Sequence, residues 1–560
     1  MANTLYYGDN LDILRNPEYF KEDSVDLIYL DPPFNSSATF NLLFSSPKGH
    51  KSDAQIEAFE DTWHWGPQAE REFDELLRSP NTDVAEMMQA MRSFLSENDM
   101  MAYLTMMANR LIELQRVLKT TGSIYLHCDP TASHYLKVLL DAIFGRTHFQ
   151  NEICWTRTVP KSDYKQGATN WPRVHDVLLF YTKSVDHAAT FHQLFTEYEN
   201  EYIESSYPFV EEGTGRRYGA HSLTAPGAGS RGHPQYEFMG VTRYWRYGKD
   251  KMEQLLSEGR VLQSAPGNVP RYKRYLDEVL GVPIGDMWTD ISMVQGSSKE
   301  RLGYPTQKPL ALLERIIEAS TNPGDLVLDP FCGCGTAVHA AQKLGREWIG
   351  IDITHLAISL VEKRLRDAFP AIEFKVEGTP VDIEGARDLA LRDKYQFQWW
   401  ACHLVNAQPY RGKKKGSDSG IDGLIFPEEG PGKHSKIIVS VKGGENVGDT
   451  MLKDLIATVE SEKAQMGFFV TLARPTNPMK VRATAAGYYT SANGVSYPRI
   501  QILVIEDLLS GKVRPEYFNS SGGSAGFRRA KVELRDTKQR RLFEMPTSLS
   551  ALQVEEPTEE

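Results

Sequence analysis

The chain has 560 residues, of which 41% are hydrophobic, and this excludes a small disulfide-stapled scaffold and leaves room for two or three domains. Its net charge of −11 counts against a uniformly basic nucleic-acid binder, although basic clusters occur locally, as in 411–415 and 528–531. The five cysteines form no CxxC pair or zinc-type spacing, so no metal site is predicted from them. Scattered cysteines, no apolar leader and no long apolar run predict a soluble, cytoplasmic protein without a membrane partner.

Short apolar runs alternate with amphipathic stretches along the first two thirds of the chain. The predicted strands are 25–30, 122–126, 177–181, 326–328 and 348–351, and the predicted helices are 101–119, 135–144 and 309–320. This alternation predicts an α/β domain with a mainly parallel sheet. Two stretches, 35–100 and 200–280, show weaker patterning and are predicted to be functional insertions or loops.

The composition changes near residues 375–385. One helical segment is predicted over 385–404, followed by a Gly/Lys/Ser-rich stretch and by strands at 436–442 and 467–471. We therefore predict a first domain over 1–375, a smaller α/β domain over 380–515 and a poorly ordered tail over 519–560.

The first chemistry-bearing motif is Asp31-Pro32-Pro33-Phe34, which directly follows a predicted strand. Two prolines after a strand make a rigid loop at the carboxyl edge of the sheet, where open α/β folds bind their ligands. The amino nitrogen of adenine or cytosine is a poor nucleophile, and the Asp31 carboxylate with the Pro32 carbonyl could localise its lone pair by accepting its hydrogens. Phe34 could stack on a base that has left the duplex. A lone Asp-Pro-Pro is also compatible with a plain strand-terminating turn.

A second motif lies about 300 residues further along the chain. A predicted strand ends at Asp329, a turn containing Gly333 and Gly335 follows, and a helical pattern begins near Thr336. Small residues in such a turn let the backbone approach a nucleotide. The next strand ends in Asp352, an acid suited to ribose hydroxyls, so turn and acid together indicate an adenosine-containing cofactor.

The two motifs in this order resemble those of the N6-adenine and N4-cytosine DNA methyltransferases of the circularly permuted β class. Further family-like pieces are 7–10, which includes Asp9, the strand region 118–128, and 304–309, which includes Thr306 and Lys308. The stretch 123–130 is typical of a subgroup that includes type III modification subunits. The resemblance implies a Rossmann-like S-adenosylmethionine-dependent methyltransferase with a mixed, mainly parallel sheet, and it covers about 1–180 and 285–370.

The resemblance also implies roles for individual residues. Asp31, Pro32, Pro33 and Phe34 are expected to hold the target base as the catalytic tetrapeptide. The expected S-adenosylmethionine contacts are Asp9, Thr306, Lys308, Asp329, Phe331, Gly333, Gly335, Thr336 and Asp352. The insert at about 185–285 is expected to recognise double-stranded DNA, since its tyrosines and arginines suit stacking and phosphate contacts.

The second domain resembles the PD-(D/E)xK restriction-endonuclease-like fold, in particular its Mrr-like branch. Asp422 and Lys442 fall at the expected positions, but Ser440 replaces the expected Glu or Gln. A hydroxyl is a poor Mg²⁺ ligand beside a carboxylate. Three interpretations stay open: an inactive fold kept for DNA binding, which we favour, a working Mg²⁺-dependent nuclease, and an ordinary accessory domain.

The leading hypothesis is a site-specific N6-adenine DNA methyltransferase with a role in restriction-modification or genome methylation. Asp at position 31 favours adenine by family habit, and N4-cytosine is the competing target. No cysteine follows a proline, so the cytosine-C5 class is set aside. A fused methyltransferase-endonuclease and a DNA-binding module with an inactive methyltransferase fold are two further hypotheses. A homodimer or a restriction subunit is the further partner considered.

Overall fold

The structure is a computed structural model, and the part of the chain that it describes has several gaps. For residues 39–45 and 51–60, only the backbone is described. The described residues are 3–33, 39–45, 51–60, 64–160, 169–185, 189–225, 232–295, 298, 300–302, 304, 306–410, 420–430, 433–520 and 532–533.

The first third of the chain alternates between strands and helices. These elements are β1 (Thr4–Tyr7), α1 (Asn10–Arg15), β2 (Val25–Leu30), β3 (Thr39–Ser45), β4 (Lys51–Glu60), α2 (Pro67–Leu77), α3 (Thr82–Leu95), α4 (Asp99–Val117), β5 (Leu118–Cys128), α5 (Ser133–Phe144), β6 (Phe149–Thr156) and β7 (His175–Thr182).

The stretch 35–100, which the sequence predicts to be a functional insertion or loop, contains regular elements. Its described part contains the antiparallel hairpin β3–β4 and the helices α2 and α3. Proline at the start of α2 and the Asn81 side chain, which accepts a hydrogen bond from the backbone N–H of Val84, favour these helix starts. The buried Phe73 and Leu76 of α2 lie on one face, so the helical period was present in the sequence under its many charges.

Residues 192–285 form a compact unit of short elements. They are β8 (Phe195–Thr196), α6 (Asn200–Ser206), β9 (Phe209–Val210), β10 (Arg217–Ser222), β11 (Gln235–Phe238), β12 (Val241–Tyr244), α7 (Lys249–Ser257), β13 (Val261–Leu262), β14 (Arg271–Tyr275) and β15 (Val282–Pro283). A four-stranded sheet has the order β13-β14-β10-β9. Its core contains Leu223, Phe238, Trp245, Met252 and Leu255.

The chain then returns to the α/β pattern. The elements are β16 (Met287–Trp288), α8 (Leu310–Ser320), β17 (Leu326–Asp329), α9 (Thr336–Lys343), β18 (Glu347–Asp352), α10 (His355–Ala368) and β19 (Lys375–Glu377). The described strands join those of the first third in a nine-stranded sheet with the order β16-β6-β7-β5-β2-β17-β18-β1-β19.

The large sheet is parallel except at β7, which runs antiparallel to both neighbours, β5 and β6. The mixed, mainly parallel α/β fold predicted from the sequence is therefore confirmed. Strand β2 pairs with β17 through Leu27 and Val327, although 300 residues separate them in the chain. This pairing brings the two predicted motifs to the same edge of the sheet.

The carboxyl-terminal region forms a second α/β sheet. Its elements are α11 (Ile383–Arg392), α12 (Lys394–Leu404), β20 (Gln408–Pro409), β21 (Gly423–Ile425), β22 (Glu428–Gly430), β23 (Lys433–His434), β24 (Ile437–Lys442), α13 (Asp449–Ser461), β25 (Met466–Thr471), α14 (Asn477–Ala485), β26 (Tyr488–Thr490), β27 (Ser496–Pro498), β28 (Ile500–Val504) and α15 (Ile505–Leu509). Its described five-stranded sheet has the order β20-β21-β24-β25-β28.

The helix predicted over 385–404 is two helices, which corrects that expectation. Asp393 adopts an extended conformation between them, and its carboxylate accepts hydrogen bonds from the backbone N–H groups of Tyr395 and Gln396. Aspartate at this position caps a new helix start, which a count of apolar positions does not detect. In the ranges described, no helix combines the length and apolarity needed to cross a lipid bilayer. The predicted tail over 519–560 lies almost wholly outside the described residues.

Candidate active site

Four neighbouring strands of the large sheet carry an acid at or just beyond their carboxyl ends. Asp31 follows β2, Asp329 ends β17, Asp352 ends β18, and Asp9 lies two residues after β1. Because these strands are parallel and adjacent, the acids meet at one edge of the sheet. All four line a cavity of about 360 Å³.

Lys308 forms an ion pair with Asp31 inside this cavity. Its Nζ donates to both carboxylate oxygens, at 2.6 and 2.5 Å, and both side chains are largely buried. Thr306, Pro32 and Pro33 line the same cavity. Lysine was predicted to lie near the cofactor, whereas its direct pairing with the acid of the tetrapeptide is a finding of the structure.

The glycine turn between β17 and α9 forms one wall of the cavity. Gly333 and Gly335 have φ angles of +48° and +71°, which other residues rarely adopt. A Cβ at Gly333 would lie 3.2 Å from the Tyr304 ring, and one at Gly335 would lie 2.8 Å from Val361. The turn can therefore pack against Tyr304 and Val361 only because it carries no side chain at these two positions.

Asp352 holds the turn in place. Its Oδ2 accepts a hydrogen bond from the Gly333 N–H at 3.0 Å, and its Oδ1 accepts from the N–H and hydroxyl of Thr354 at 2.8 Å each. Burial raises the pKa of Asp352 to about 6. Since each carboxylate oxygen has more than one lone pair, Asp352 can still accept a hydrogen bond from a ligand.

Asp329 lies deepest of the four acids. It is 4% exposed, and its Oδ1 accepts from the Phe331 N–H at 3.1 Å. Burial raises its pKa well above the usual range, and the neighbouring Asp31 and Asp352 carboxylates add to the effect. Phe331 and Thr336 complete this side of the cavity.

A buried arginine supports the same turn from behind. Arg364 of α10 donates to the Cys334 carbonyl at 3.1 Å and to the Thr336 hydroxyl at 3.0 Å. Cys332 and Cys334 are themselves buried, and burial raises the pKa of both thiols. Protonated thiols inside a turn fit a structural role rather than nucleophilic chemistry.

Asp9 is held on the opposite wall by Arg110 of α4. The guanidinium donates to both Asp9 oxygens, at 2.9 and 3.1 Å, and to Asn10 Oδ1 at 2.5 Å. Asn10 in turn donates to the Pro330 carbonyl at 2.8 Å. Asn10 therefore links the first helix to the loop after β17, and Arg110 joins Asn10 to Asp9. Sequence spacing carried no signal for the part played by Arg110.

A buried polar network lies behind Asp31. Tyr29, which lines the cavity, hydrogen-bonds His127 Nδ1 at 2.9 Å, and His127 Nε2 lies 3.4 Å from Asp176 Oδ2. Burial lowers the pKa of His127, with Lys308 adding to the effect, so the ring favours its neutral form. His127 stands in the stretch that resembles the type III subgroup, but the sequence did not connect it with Tyr29 or Asp176.

The structure thus brings most of the predicted methyltransferase residues together around one cavity. Of the described ones, Gly335 alone is absent from the cavity lining, because it lies behind the turn against Val361. Phe34 lies outside the described residues, so its predicted stacking role stays a prediction. Residues of the cavity that the sequence did not single out include Tyr29, Arg110, Leu313, Pro330 and Thr354.

The nuclease-like position in the second sheet is arranged differently. Asp422 accepts hydrogen bonds from Gln398 Nε2 at 2.5 Å and from the Val441 N–H at 2.6 Å, and the buried Ser440 hydroxyl lies 3.4 Å away. Lys442 Nζ lies 3.8 Å from the same carboxylate. In the described part of the chain, no group of three metal-ligating side chains is found.

Comparison with known proteins follows the same division. A family model described as DNA methylase matches residues 25–363. The match covers more than half of the chain. The chain therefore belongs to the N6/N4 DNA methylase family. A second model, described as NACHT-associated inactive Restriction Endonuclease 1, matches residues 402–509, and the expected endonuclease-like domain is confirmed by it.

Individual relatives agree with the family match. The type II methyltransferase M.EcaI of Enterobacter cloacae is 34% identical over 47% of this chain and 57% of its own. The Mod subunit of the type III restriction-modification enzyme StyLTI of Salmonella typhimurium is 26% identical over 62% of this chain and 50% of its own. The chain thus spans about half the length of these curated relatives. The M1.HpyAVI–SAM complex is 16% identical, covering 65% of this chain and 98% of its own, with a TM-score of 0.30.

The cavity fits S-adenosylmethionine, the methyl donor that this family implies. The four acidic side chains on its wall offer hydrogen-bond partners to the polar groups of such a ligand. Gly333 and Asp352 both line the cavity, so Asp352 stands where a ribose hydroxyl could reach it.

Proposed function

We propose that the chain transfers the methyl group of S-adenosylmethionine to the N6 amine of a flipped adenine in double-stranded DNA. The observation that carries the proposal is the position of Asp31. Its carboxylate lies on the cavity wall at the end of β2, beside the glycine turn that follows the neighbouring strand β17. An acceptor for an amine and a cradle for the methyl donor therefore share one cavity.

Asp31 and Pro32 supply the chemistry that the amine requires. The Asp31 carboxylate and the Pro32 carbonyl each accept one amine hydrogen, so that the nitrogen lone pair points towards the methyl group. S-adenosylmethionine supplies a methyl group that is already activated by the sulfonium. As the amine nitrogen bonds to carbon and the carbon–sulfur bond breaks, the amine gives up one proton, and Asp31 is the base placed to receive it.

Lys308 orients Asp31 for this role. An ammonium donating to both oxygens fixes the rotation of the carboxylate, which preserves the alignment of nitrogen, methyl and sulfur. Asp352 and the Gly333 turn hold the donor, with Asp9, Thr306, Asp329, Phe331 and Thr336 completing its site. Asp at position 31 favours adenine over cytosine.

DNA contacts are assigned to the unit 192–285. Arg246 donates to the Thr224 carbonyl at 3.1 Å and Arg271 to the Ala220 carbonyl at 3.2 Å, contacts that leave the guanidinium charges unneutralised. Burial lowers the pKa of His221, and nearby Arg274, Arg246 and Arg271 add to this, which indicates a concentration of positive charge. Such a surface suits phosphate oxygens.

The carboxyl-terminal domain is proposed to be inactive as a nuclease. Asp422 already accepts hydrogen bonds from Gln398 and Val441, and Ser440 offers a hydroxyl where Mg²⁺ would need a carboxylate. The name of the matching family model describes an inactive enzyme. The type III Mod relative suggests a restriction subunit as partner, and a homodimer is the competing arrangement.

Sequencing with base-modification detection tests the methyltransferase proposal. The full chain is expressed in a host without its own DNA methylation, and Asp31→Ala is expressed in parallel. We expect N6-methyladenine at one recurring sequence with the wild type and none with the variant. N4-methylcytosine at a recurring sequence would overturn the adenine assignment, and unmodified DNA from cells containing folded protein would overturn the methyltransferase assignment.

A further inference from the structure

We propose that helix α12 of the nuclease-like domain is a structural part of the S-adenosylmethionine site, so that donor binding depends on this domain. The inference rests on the cofactor site described under the proposed function. Its basis is a set of contacts between α12 and the elements that form the wall of the cavity.

One face of α12 is directed to the methyltransferase fold. Gln396, Trp399 and His403 are spaced three and four residues apart, which aligns them along one side of a helix. Each meets a different part of α10 or its surroundings: Gln396 at the start of the helix, Trp399 over its apolar side, and His403 at Glu362, 3.4 Å away.

Trp399 is the largest of these contacts. It is 4% exposed and belongs to one buried cluster with Leu302, Tyr304, Cys334, Leu356 and Leu360. Two members of the cluster, Tyr304 and Cys334, also line the cofactor cavity. Trp399 therefore belongs to the buried cluster that includes part of the wall against which the donor would bind.

Tyr304 transmits this packing to the glycine turn. Its ring lies so near Gly333 that a Cβ there would come within 3.2 Å of it. Without Trp399 the cluster would lose its largest side chain, and the Tyr304 ring would be free to leave the turn. Gly333 would then still be held by its hydrogen bond to Asp352, but no longer by packing against the Tyr304 ring.

Gln396 makes a second link. Its Oε1 accepts a hydrogen bond from the His355 N–H at 3.1 Å, at the amino end of α10. The His355 ring stacks on Tyr7, with ring centroids 3.6 Å apart, and Tyr7 precedes the cavity residues Gly8 and Asp9. The start of α10 also follows Thr354, which donates to Asp352. Gln396 thus contacts the amino end of α10, which adjoins the cavity residue Thr354 and stacks on Tyr7.

The same helix also supplies Gln398, which donates to Asp422 on the nuclease-like side. One helix is therefore shared by the cofactor cavity and by the position where a restriction enzyme would hold its metal. A domain with this contact contributes to methyl transfer without cutting DNA, as a support for donor binding.

Titration calorimetry with S-adenosylmethionine tests the inference on the full chain. We expect Trp399→Ala to raise the Kd about tenfold, within the range usual for coupling between sites, while kcat at saturating donor changes little. Trp399→Phe, which keeps an aromatic ring in the cluster, should restore most of the affinity. Leu391→Ala is the matched control, because Leu391 lies on the adjacent helix α11 and is 89% exposed; its Kd should equal that of the wild type.

Gln396→Leu provides a second variant in case Trp399→Ala does not fold, which circular dichroism would reveal. Removing the acceptor for the His355 N–H should raise the Kd severalfold. Unchanged Kd values for the folded Trp399→Ala or, failing that, Gln396→Leu would overturn the inference. Gly333→Val separates the two proposals: if it leaves donor binding unchanged, the cofactor site itself is misplaced, whereas weakened binding in Gly333→Val alone refutes only the role of α12.

Discussion

Two acid–lysine pairs of the described residues, Asp31 with Lys308 and Asp422 with Lys442, differ in what surrounds the carboxylate. Asp31 pairs with Lys308 at 2.5 and 2.6 Å and lines a cavity of about 360 Å³. Asp422 lies 3.8 Å from Lys442, and Gln398 and the Val441 N–H already donate to it. The same two residue types thus give a candidate reaction centre in one sheet and a hydrogen-bonded structural position in the other.

An acid near a strand end is therefore not by itself a functional site. A carboxylate that lines a cavity can accept hydrogen bonds from a substrate in addition to those it accepts from the protein, whereas one without a cavity beside it contributes to folding instead. The neighbouring strands determine whether an acid can bind a ligand, because they determine whether a cavity or a packed side chain lies next to it.

The largest expected effect comes from Asp31→Ala. Removing the acceptor and base should lower kcat for DNA methylation by roughly 10²–10⁴-fold, the usual range for a positioned general base. The affinity for S-adenosylmethionine should stay close to that of the wild type, since the donor site proposed above is formed by the turn and by Asp352. Transfer of radiolabelled methyl groups to DNA measures the first quantity, and calorimetry the second.

Asp31→Asn is the matched control for this substitution. It keeps a carbonyl acceptor but not a base, so it should retain more activity than Asp31→Ala if hydrogen bonding to the amine matters. Wild-type rates in Asp31→Ala would show that the open carboxylate is not the reaction centre, and the contrast with Asp422 would lose its functional meaning.

Asp422→Ala should have a smaller effect, on stability rather than on activity. Two strong donors would lose their acceptor, and a buried unsatisfied group costs about 1–3 kcal/mol. Hydrogen exchange of the β24 amides in the full chain measures the loss. Lys442→Ala is the control, for which about 0–1 kcal/mol is expected because the lysine is partly exposed.

A DNA cleavage assay tests the alternative that the carboxyl-terminal domain is a nuclease. If Mg²⁺ supports cleavage of unmethylated DNA by the wild type and the activity is lost in Lys442→Ala, the second pair is catalytic as well. The proposed difference between the two sheets would then be wrong.

The sequence predicted five of the nine strands described in the large sheet, because strands such as Val25–Leu30 are nearly continuous apolar runs. It did not predict the short strands β1, β16 and β19, or β6, which carries several polar residues. It also failed where a single residue ends a helix, as at Asp393, because a search for apolar periodicity does not weigh helix caps.

The candidate site, too, was predicted from the sequence only in part. The acids and glycines were predicted because they stand in local motifs next to strands. The pairing of Lys308 with Asp31 and of Arg110 with Asp9 joins residues 277 and 101 positions apart, and only the sheet order brings them together. Their roles in catalysis and donor binding stay predictions, as does that of Phe34.

Asp352 is intermediate between Asp31 and Asp422, because it lines the cavity and yet accepts hydrogen bonds from Gly333 and Thr354. Its pKa is raised to about 6, so the carboxylate is mostly ionised at pH 7 and only about a tenth ionised at pH 5. If the ionised form accepts a ribose hydroxyl, the Kd for S-adenosylmethionine should rise by up to about tenfold as the pH falls from 7 to 5. The Asn side chain in Asp352→Asn cannot ionise. The Kd of this variant for S-adenosylmethionine should therefore be higher than that of the wild type at pH 7 and nearly constant between pH 7 and 5. Calorimetry across the pH range decides between the two roles, since a Kd in the wild type that is independent of pH would make Asp352, like Asp422, a support for the backbone alone.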